Sequence, residues 1–117
     1  MIILGIDPGT TAIGYALVAR DTKPLLLGAG MVTITSHDTP GRLHDLYREL
    51  SAIIRQWKPD TLSVEKLFFA KNTKTAMDVS QSRGVVLLTA ALAGLTVYEY
   101  TPLEIKKIVT GDGGADK

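Results

Sequence analysis

The sequence predicts an α/β protein with a mixed sheet, and three observations lead to this prediction. The first third of the chain contains three apolar runs separated by short turns, which is typical of an antiparallel meander. The remainder alternates helical and strand patterns, and a helix between two strands makes those strands parallel. Two strands also end on an acidic residue, Asp7 and Glu65. We therefore expect a five-stranded sheet in which strands four and five run parallel to strand one.

The three N-terminal strands are predicted from their apolar runs. The first covers 1–7 and leads into the turn Pro8-Gly9, the second covers 11–19, and the third covers 24–35 after the polar turn 20–23. Because short turns join neighbouring strands, these three are expected to pair antiparallel.

The first helix is predicted from apolar residues that recur at intervals of three and four. Thr39 is the expected N-cap, Pro40 occupies the first helical position, and Lys58-Pro59 ends the helix. The apolar positions are Leu43, Leu46, Tyr47, Leu50, Ile53, Ile54 and Trp57. This pattern predicts one face packed on the sheet.

The second half continues with a fourth strand at 61–65 and a long helix that Asn72 caps. That helix is expected to run to about Ala93, where Gly94 ends it. After Gly84 it is apolar on more than one face, which indicates burial under further structure or against a partner. The remaining predicted elements are a strand at 95–100, a short helix at 102–109 and a Gly-rich tail at 110–117.

Composition narrows the class of protein. The chain has 117 residues, with 13 basic against 12 acidic side chains, so any DNA-binding surface must come from local clustering. Without cysteine there are no disulfides and no thiolate metal site, and this fits a reducing compartment. The apolar N-terminus lacks a basic region and breaks early, unlike a secretory signal. We expect a single soluble, cytoplasmic domain over 1–117 with no membrane association.

The acidic strand ends predict half of a divalent-metal site. If strands one and four are parallel neighbours, Asp7 and Glu65 leave the sheet at the same edge, where open α/β sheets place their sites. Carboxylate oxygens suit Mg²⁺, with Mn²⁺ as a substitute. Two such ions catalyse phosphodiester hydrolysis, which favours a nuclease. The structural alternatives are a turn-forming Asp7 before Pro-Gly and a Glu65 salt bridge to a nearby lysine.

A segment rich in cations and aromatic rings follows the fourth strand. Phe68 and Phe69 are interleaved with the basic residues Lys66, Lys71, Lys74 and Arg83. Aromatic rings beside cations suit unpaired or distorted nucleic acid. The alternative is one ring in the core with a solvated rim of lysines, and we expect Phe68 to be the exposed ring.

Together these motifs resemble the RuvC family of Holliday-junction resolvases. The resemblance extends over essentially the whole chain. Its motifs are Gly5-Ile6-Asp7-Pro8-Gly9-Thr10, Val64-Glu65-Lys66-Leu67-Phe68, Ala70-Lys71-Asn72, Gln81-Ser82-Arg83-Gly84, Tyr98-Glu99-Tyr100, Ile105-Lys106 and Gly114-Ala115-Asp116-Lys117. It implies an RNase H-like fold and a homodimer, formed through the long helix, that cuts four-way DNA junctions in recombination and repair with divalent metal. It also implies work alongside branch-migration machinery.

The resemblance assigns roles residue by residue. Asp7 and Glu65 match two of four acidic, catalytic metal ligands, and Phe68 matches an aromatic residue that stacks on junction bases. Lys106 and Lys117 match lysines that contact the DNA backbone. Three further residues in the matching motifs are expected to bind DNA, namely Lys71, Asn72 and Arg83.

The chain departs from the family pattern at its end. The other two acidic ligands of the family lie on a C-terminal helix beyond Lys117, and neither Asp112 nor Asp116 aligns with them. We therefore expect a truncated resolvase that lacks this helix, binds metal weakly and cleaves slowly or not at all.

Two alternative functions share parts of the pattern. One is a non-catalytic DNA-binding module of the same fold. The other rests on Asp7-Pro8-Gly9-Thr10-Thr11, which resembles the phosphate-binding hairpin of actin-like ATPases and sugar kinases. Those proteins need two such domains around a cleft, and 117 residues are too few for two domains, so a nucleotide-binding function of this kind is disfavoured.

Overall fold

The sheet has the predicted mixed topology. The computed structural model describes residues 1–7, 13–66 and 73–100. Within them the elements are β1 (Ile2–Asp7), β2 (Ile13–Arg20), β3 (Pro24–Val32), α1 (Thr39–Trp57), β4 (Thr61–Glu65), α2 (Thr73–Leu92) and β5 (Thr96–Tyr100). The strand order is β3-β2-β1-β4-β5, with β1 antiparallel to β2 and parallel to β4, and β5 parallel to β4. The helix expected at 102–109 and the tail at 110–117 lie outside the described residues.

The core lies on one face of the sheet, under both helices. On the strands, Leu4 and Leu62 are fully buried, and Ile6 and Val64 are nearly so. They belong to one cluster with residues of α1 and α2: Leu46, Leu50, Ile54, Val86 and Ala90. Because side chains alternate along a strand, the intervening residues point to the opposite face.

Helix α1 starts one residue away from where its cap was predicted. The N-cap is Asp38, whose carboxylate accepts a hydrogen bond from the Gly41 amide at 3.3 Å, so the prediction of Thr39 is wrong by one position. Both residue types cap helices well, and the local sequence offers both. At the other end Lys58 adopts a left-handed conformation (φ 49°) and its amide donates to the Ile54 carbonyl at 2.8 Å. Pro59 follows, so the predicted end is confirmed.

Strand β3 ends at Val32 and is shorter than predicted. The reason is Asp45 of α1, whose Oδ2 accepts hydrogen bonds from the Thr35 and Ser36 amides at 3.0 and 2.8 Å. Those amides therefore serve a side chain instead of a neighbouring strand. The Ser36 amide is the main cause that lowers the pKa of Asp45 below its ordinary value, although burial opposes the shift.

Trp57 shows why β3 has a glycine at position 28. Its indole packs on the sheet where β3 passes beneath the end of α1, and a Cβ on Gly28 would lie 3.2 Å from its Cζ2. A larger residue at this position would have to displace the ring. The prediction that Trp57 belongs to the core is confirmed, since it packs against the buried cluster.

Helix α2 ends as predicted and leaves an apolar stripe uncovered. Gly94 has a φ of 76°, and the Leu95 amide donates to the Ala90 carbonyl at 2.9 Å, which closes the helix. On the outer side Met77, Leu88 and Leu92 are 59%, 56% and 68% exposed. No helix in the described ranges is long and apolar enough to cross a bilayer.

Candidate functional site

Asp7 and Glu65 end two neighbouring strands at the same edge of the sheet. The parallel register between β1 and β4 runs to the pair Ile6 and Val64. Asp7 is the next residue of β1, and Glu65 is the next residue of β4. The chain order predicted this proximity, because parallel neighbours carry their C-terminal residues to one edge.

Both carboxylates belong to the face of the sheet opposite α1 and α2. Ile6 and Val64 point into the core, so the residue after each points the other way. Asp7 is exposed and Glu65 is half-buried. The strand ends therefore present two acidic side chains toward solvent.

Two tyrosines of β5 extend this face. The register pairs Tyr100 with Glu65 and Tyr98 with Ser63, so both rings lie on the carboxylate side of the sheet. Their rings stack with centroids 6.4 Å apart and an interplanar angle of 26°. Tyr98 is 49% exposed, which gives the acidic edge an aromatic flank.

The arrangement is suited to a hard divalent cation. Carboxylate oxygens with access to water are the ligands that Mg²⁺ and Mn²⁺ favour. In the described ranges no group of three or more His, Cys, Asp or Glu side chains assembles, so Asp7 and Glu65 are a partial ligand set there. The Glu65 side chain forms no ion pair with the described residues, and the salt bridge to a nearby lysine stays an alternative, since the side chains of Lys71 and Lys74 lie outside them.

The side chain of Arg83, on α2, contacts both β4 and β5. Its Nη2 forms an ion pair with Oε1 of Glu99, and its Nε donates to the backbone carbonyl of Glu65 at 3.5 Å. The Arg83 side chain is 15% exposed. The predicted DNA-binding residue thus lies next to a predicted metal ligand, and it contacts that ligand's backbone.

The other predicted DNA-binding residues lie outside the described residues. They are Phe68, Lys71, Asn72, Lys106 and Lys117. The turn-forming alternative for Asp7 also concerns undescribed residues, since it depends on 8–12. These assignments stay predictions.

Glu99 is a residue that the sequence reasoning did not single out. Alternation along β5 places it on the same face as Val97, toward the helices, with 40% of its side chain still exposed. A charged residue within an otherwise aromatic and β-branched strand was the sequence feature that could have drawn attention to Glu99. Its partner Arg83 lies on α2, and no local pattern identifies it.

Comparisons with known proteins agree with the geometry. The family model of the crossover junction endodeoxyribonuclease RuvC matches residues 3–117. The RuvC protein of Syntrophomonas wolfei is 47% identical over 120 residues, covering 100% of this chain and 69% of that protein. The RuvC protein of Chloroflexus aggregans is 50% identical over 119 residues, covering 100% of this chain and 73% of that protein.

Solved structures show the same fold. Thermus thermophilus RuvC in complex with Holliday junction substrate superposes with a TM-score of 0.90 at 31% identity, covering 100% of this chain and 73% of that chain. The predicted RNase H-like fold is therefore confirmed. With its family model, its relatives and its acidic strand ends in agreement, the chain belongs to the crossover junction endodeoxyribonuclease RuvC family.

Proposed function

We propose that this chain is a structure-selective endonuclease that resolves four-way DNA junctions in recombination and repair. The observation that carries the proposal is the position of Asp7 and Glu65, each one residue beyond the last register pair of β1 and β4, at one edge of the sheet in a chain of the RuvC family. Family membership supports endonuclease activity, and the acidic edge supplies the chemistry for it. We propose that residues 1–117 belong to one RNase H-like nuclease domain.

Asp7 and Glu65 are the proposed catalytic ligands of divalent metal, Mg²⁺ with Mn²⁺ as a substitute. The donor set fits, because both groups are hard oxygen ligands, share one face and keep contact with solvent. When bound, paired ions would activate water and stabilise the leaving oxygen of the phosphodiester. The contribution of the chain is to fix two carboxylates on adjacent rigid strands while leaving the outer side open to a phosphate.

DNA contacts are proposed for the cation-rich segments. Phe68 would stack on junction bases, where base stacking on an aromatic ring contributes about 1–3 kcal/mol per base. Lys106 and Lys117 would contact the DNA backbone, and Lys71 and Asn72 would also bind DNA. The support is the resemblance together with the position of 67–72, directly after the β4 end that carries Glu65.

We also propose that the protein acts as a homodimer through α2. The supporting observation is the stripe of Met77, Leu88 and Leu92, which are apolar and more than half exposed on one side of the helix. Apolar patches of this kind mark association surfaces. A dimer provides two sites, as the cutting of two opposed strands requires.

The cellular setting follows from the same proposal. The relatives belong to bacteria, and the absence of cysteine fits a reducing cytoplasm. We place the protein in the cytoplasm, acting on junctions together with branch-migration machinery.

The experiment is a single-turnover time course with protein in excess over a labelled four-way junction, with and without Mg²⁺. We expect binding of the junction in preference to linear duplex and Mg²⁺-dependent nicks in opposed strands, both measured against an Asp7→Asn control. The impaired or absent cleavage expected from the sequence stays a prediction, and the rate in the same time course tests it. Equal binding to duplex and junction, with no nicking above the control, would contradict the proposal.

A further inference from the structure

The end of β4 is held by contacts from two neighbouring elements. The register with β1 stops at Val64, while β5 continues alongside to Glu65. At that point the Lys66 amide donates to the Tyr100 carbonyl at 2.7 Å. Arg83 of α2 reaches the same place and donates from Nε to the Glu65 carbonyl.

These two hydrogen bonds hold the two polar atoms of one peptide group. The Glu65 carbonyl and the Lys66 amide belong to the same trans peptide unit and point in opposite directions. Fixing both ends sets the orientation of the peptide plane. Because that plane adjoins the Glu65 Cα, it restrains the ψ angle of Glu65 and with it the direction of the Cα–Cβ bond that leads to the carboxylate.

Glu99 fixes the arginine that makes one of these bonds. It pairs in register with Val64, so its side chain lies on the helix side of the sheet, opposite to the carboxylate of Glu65. The guanidinium of Arg83 is therefore neutralised on the covered face. Glu65 keeps its carboxylate free of that cation on the other face.

We propose that Arg83 and Glu99 are positioning residues that orient Glu65 for metal binding through its backbone, and that Arg83 is not a DNA contact. The proposal rests on the proposed function, since it assumes that Glu65 is a metal ligand. Two features separate it from DNA binding: the charge of Arg83 is already paired, and only 15% of its side chain is exposed. A residue that reads phosphate needs an accessible, unneutralised charge.

The effect of Glu99 distinguishes the two roles. If Arg83 positions Glu65, then removing the charge of Glu99 loosens the arginine and weakens metal binding, as removing the arginine does. If Arg83 contacts DNA, the loss of Glu99 frees its charge and strengthens junction binding. The two roles therefore predict different results for the same substitution.

The test measures Mn²⁺ affinity by electron paramagnetic resonance and junction affinity in EDTA by fluorescence anisotropy. The variants are Arg83→Gln, Arg83→Lys and Glu99→Gln, with exposed Arg55→Gln as the charge-matched control. We expect Arg83→Gln and Glu99→Gln each to weaken Mn²⁺ binding by roughly 10–100-fold, as is usual for residues that support metal ligands. Arg83→Lys recovers part of the loss, the control changes nothing, and junction affinity in EDTA stays near wild type.

Several outcomes would overturn the proposal. Unchanged Mn²⁺ affinity in both Gln variants would do so, as would a salt-dependence slope of junction binding that falls by about 1 in Arg83→Gln. If a thermal melt shows that Arg83→Gln does not fold, the Mn²⁺ affinities of Glu99→Gln and Arg83→Lys test the positioning role instead. Asp7→Asn separates the two proposals: if it leaves Mn²⁺ affinity intact, the proposed metal site fails and the positioning role fails with it, whereas a loss in Asp7→Asn alone overturns only the positioning role.

Discussion

The two faces of the sheet hold different kinds of residue at successive positions of the same strands. On the face under α1 and α2, Leu62 and Val64 are at most 1% exposed. On the other face Ser63 and Glu65 are half-buried, and Asp7 is exposed. A shift of one residue along β4 thus passes from the core to the candidate site.

One face of the sheet therefore supplies stability through its core side chains, and the other face carries the candidate metal ligands. The strand period of two allows β1 and β4 to anchor themselves by one set of side chains and to present acidic groups with the other. Loss of a carboxylate is then expected to spare the core, and loss of a core side chain to lower stability. The two faces are then expected to respond independently to substitution.

The largest effect is expected from a core truncation beside a matched change on the other face. Leu62→Ala removes a fully buried side chain and should lower the free energy of unfolding by about 2–5 kcal/mol. Ser63→Ala, one residue further along β4, should change it by about 0.5 kcal/mol or less. Urea unfolding monitored by circular dichroism gives both values. Similar losses for both would show that the faces are not distinct.

A smaller effect, on dimer dissociation, is expected from the outer surface of α2, the side of the helix that faces away from the sheet. Leu88→Glu places a charge in the exposed apolar stripe and should raise the dissociation constant of the proposed dimer by at least about tenfold, or 1.4 kcal/mol. Analytical ultracentrifugation measures the constant. The control is Leu25→Glu, which changes a leucine that is 63% exposed on the edge strand β3. Dissociation in the control alone would move the interface to that edge.

The smallest effect concerns pH and the loop that joins β3 to α1. The pKa of Asp45 is lowered on folding, so its stabilising effect is present above the unfolded pKa and is lost as pH falls through the folded value. The urea midpoint of the wild type should therefore fall as pH drops below about 4. Asp45→Asn should show a weaker fall, while exposed Asp21→Asn behaves as wild type. Parallel curves for all three proteins would remove Asp45 from the acid response.

Much of this architecture could be predicted from local patterns. The apolar periods predicted the seven described elements, and the crossover rule placed Asp7 beside Glu65. The errors arose where a side chain competes for backbone groups, as Asp38 does at the helix start and Asp45 does after β3. The Asp38 contact is local, but Asp45 lies 10 residues from Thr35, so the segment at the end of β3 does not reveal that competition.

The contacts of Arg83 show a second limit of sequence reasoning. In the sequence this arginine belongs to a cation-rich segment, which favours a DNA contact. In the fold it meets Glu99, which is 16 residues away, and the backbone of Glu65. Only the packing of α2 over the ends of β4 and β5 brings these groups together.

The central claim is that Asp7 and Glu65 act as one metal site on the face opposite α1 and α2. A double-mutant cycle of Mn²⁺ affinity with Asp7→Asn, Glu65→Gln and the combined variant tests it most directly. We predict that each single change weakens binding by at least about tenfold, that the double variant loses little more, and that urea midpoints stay near wild type. Fully additive losses would mean separate sites, and unchanged affinity in either single variant would contradict the claim.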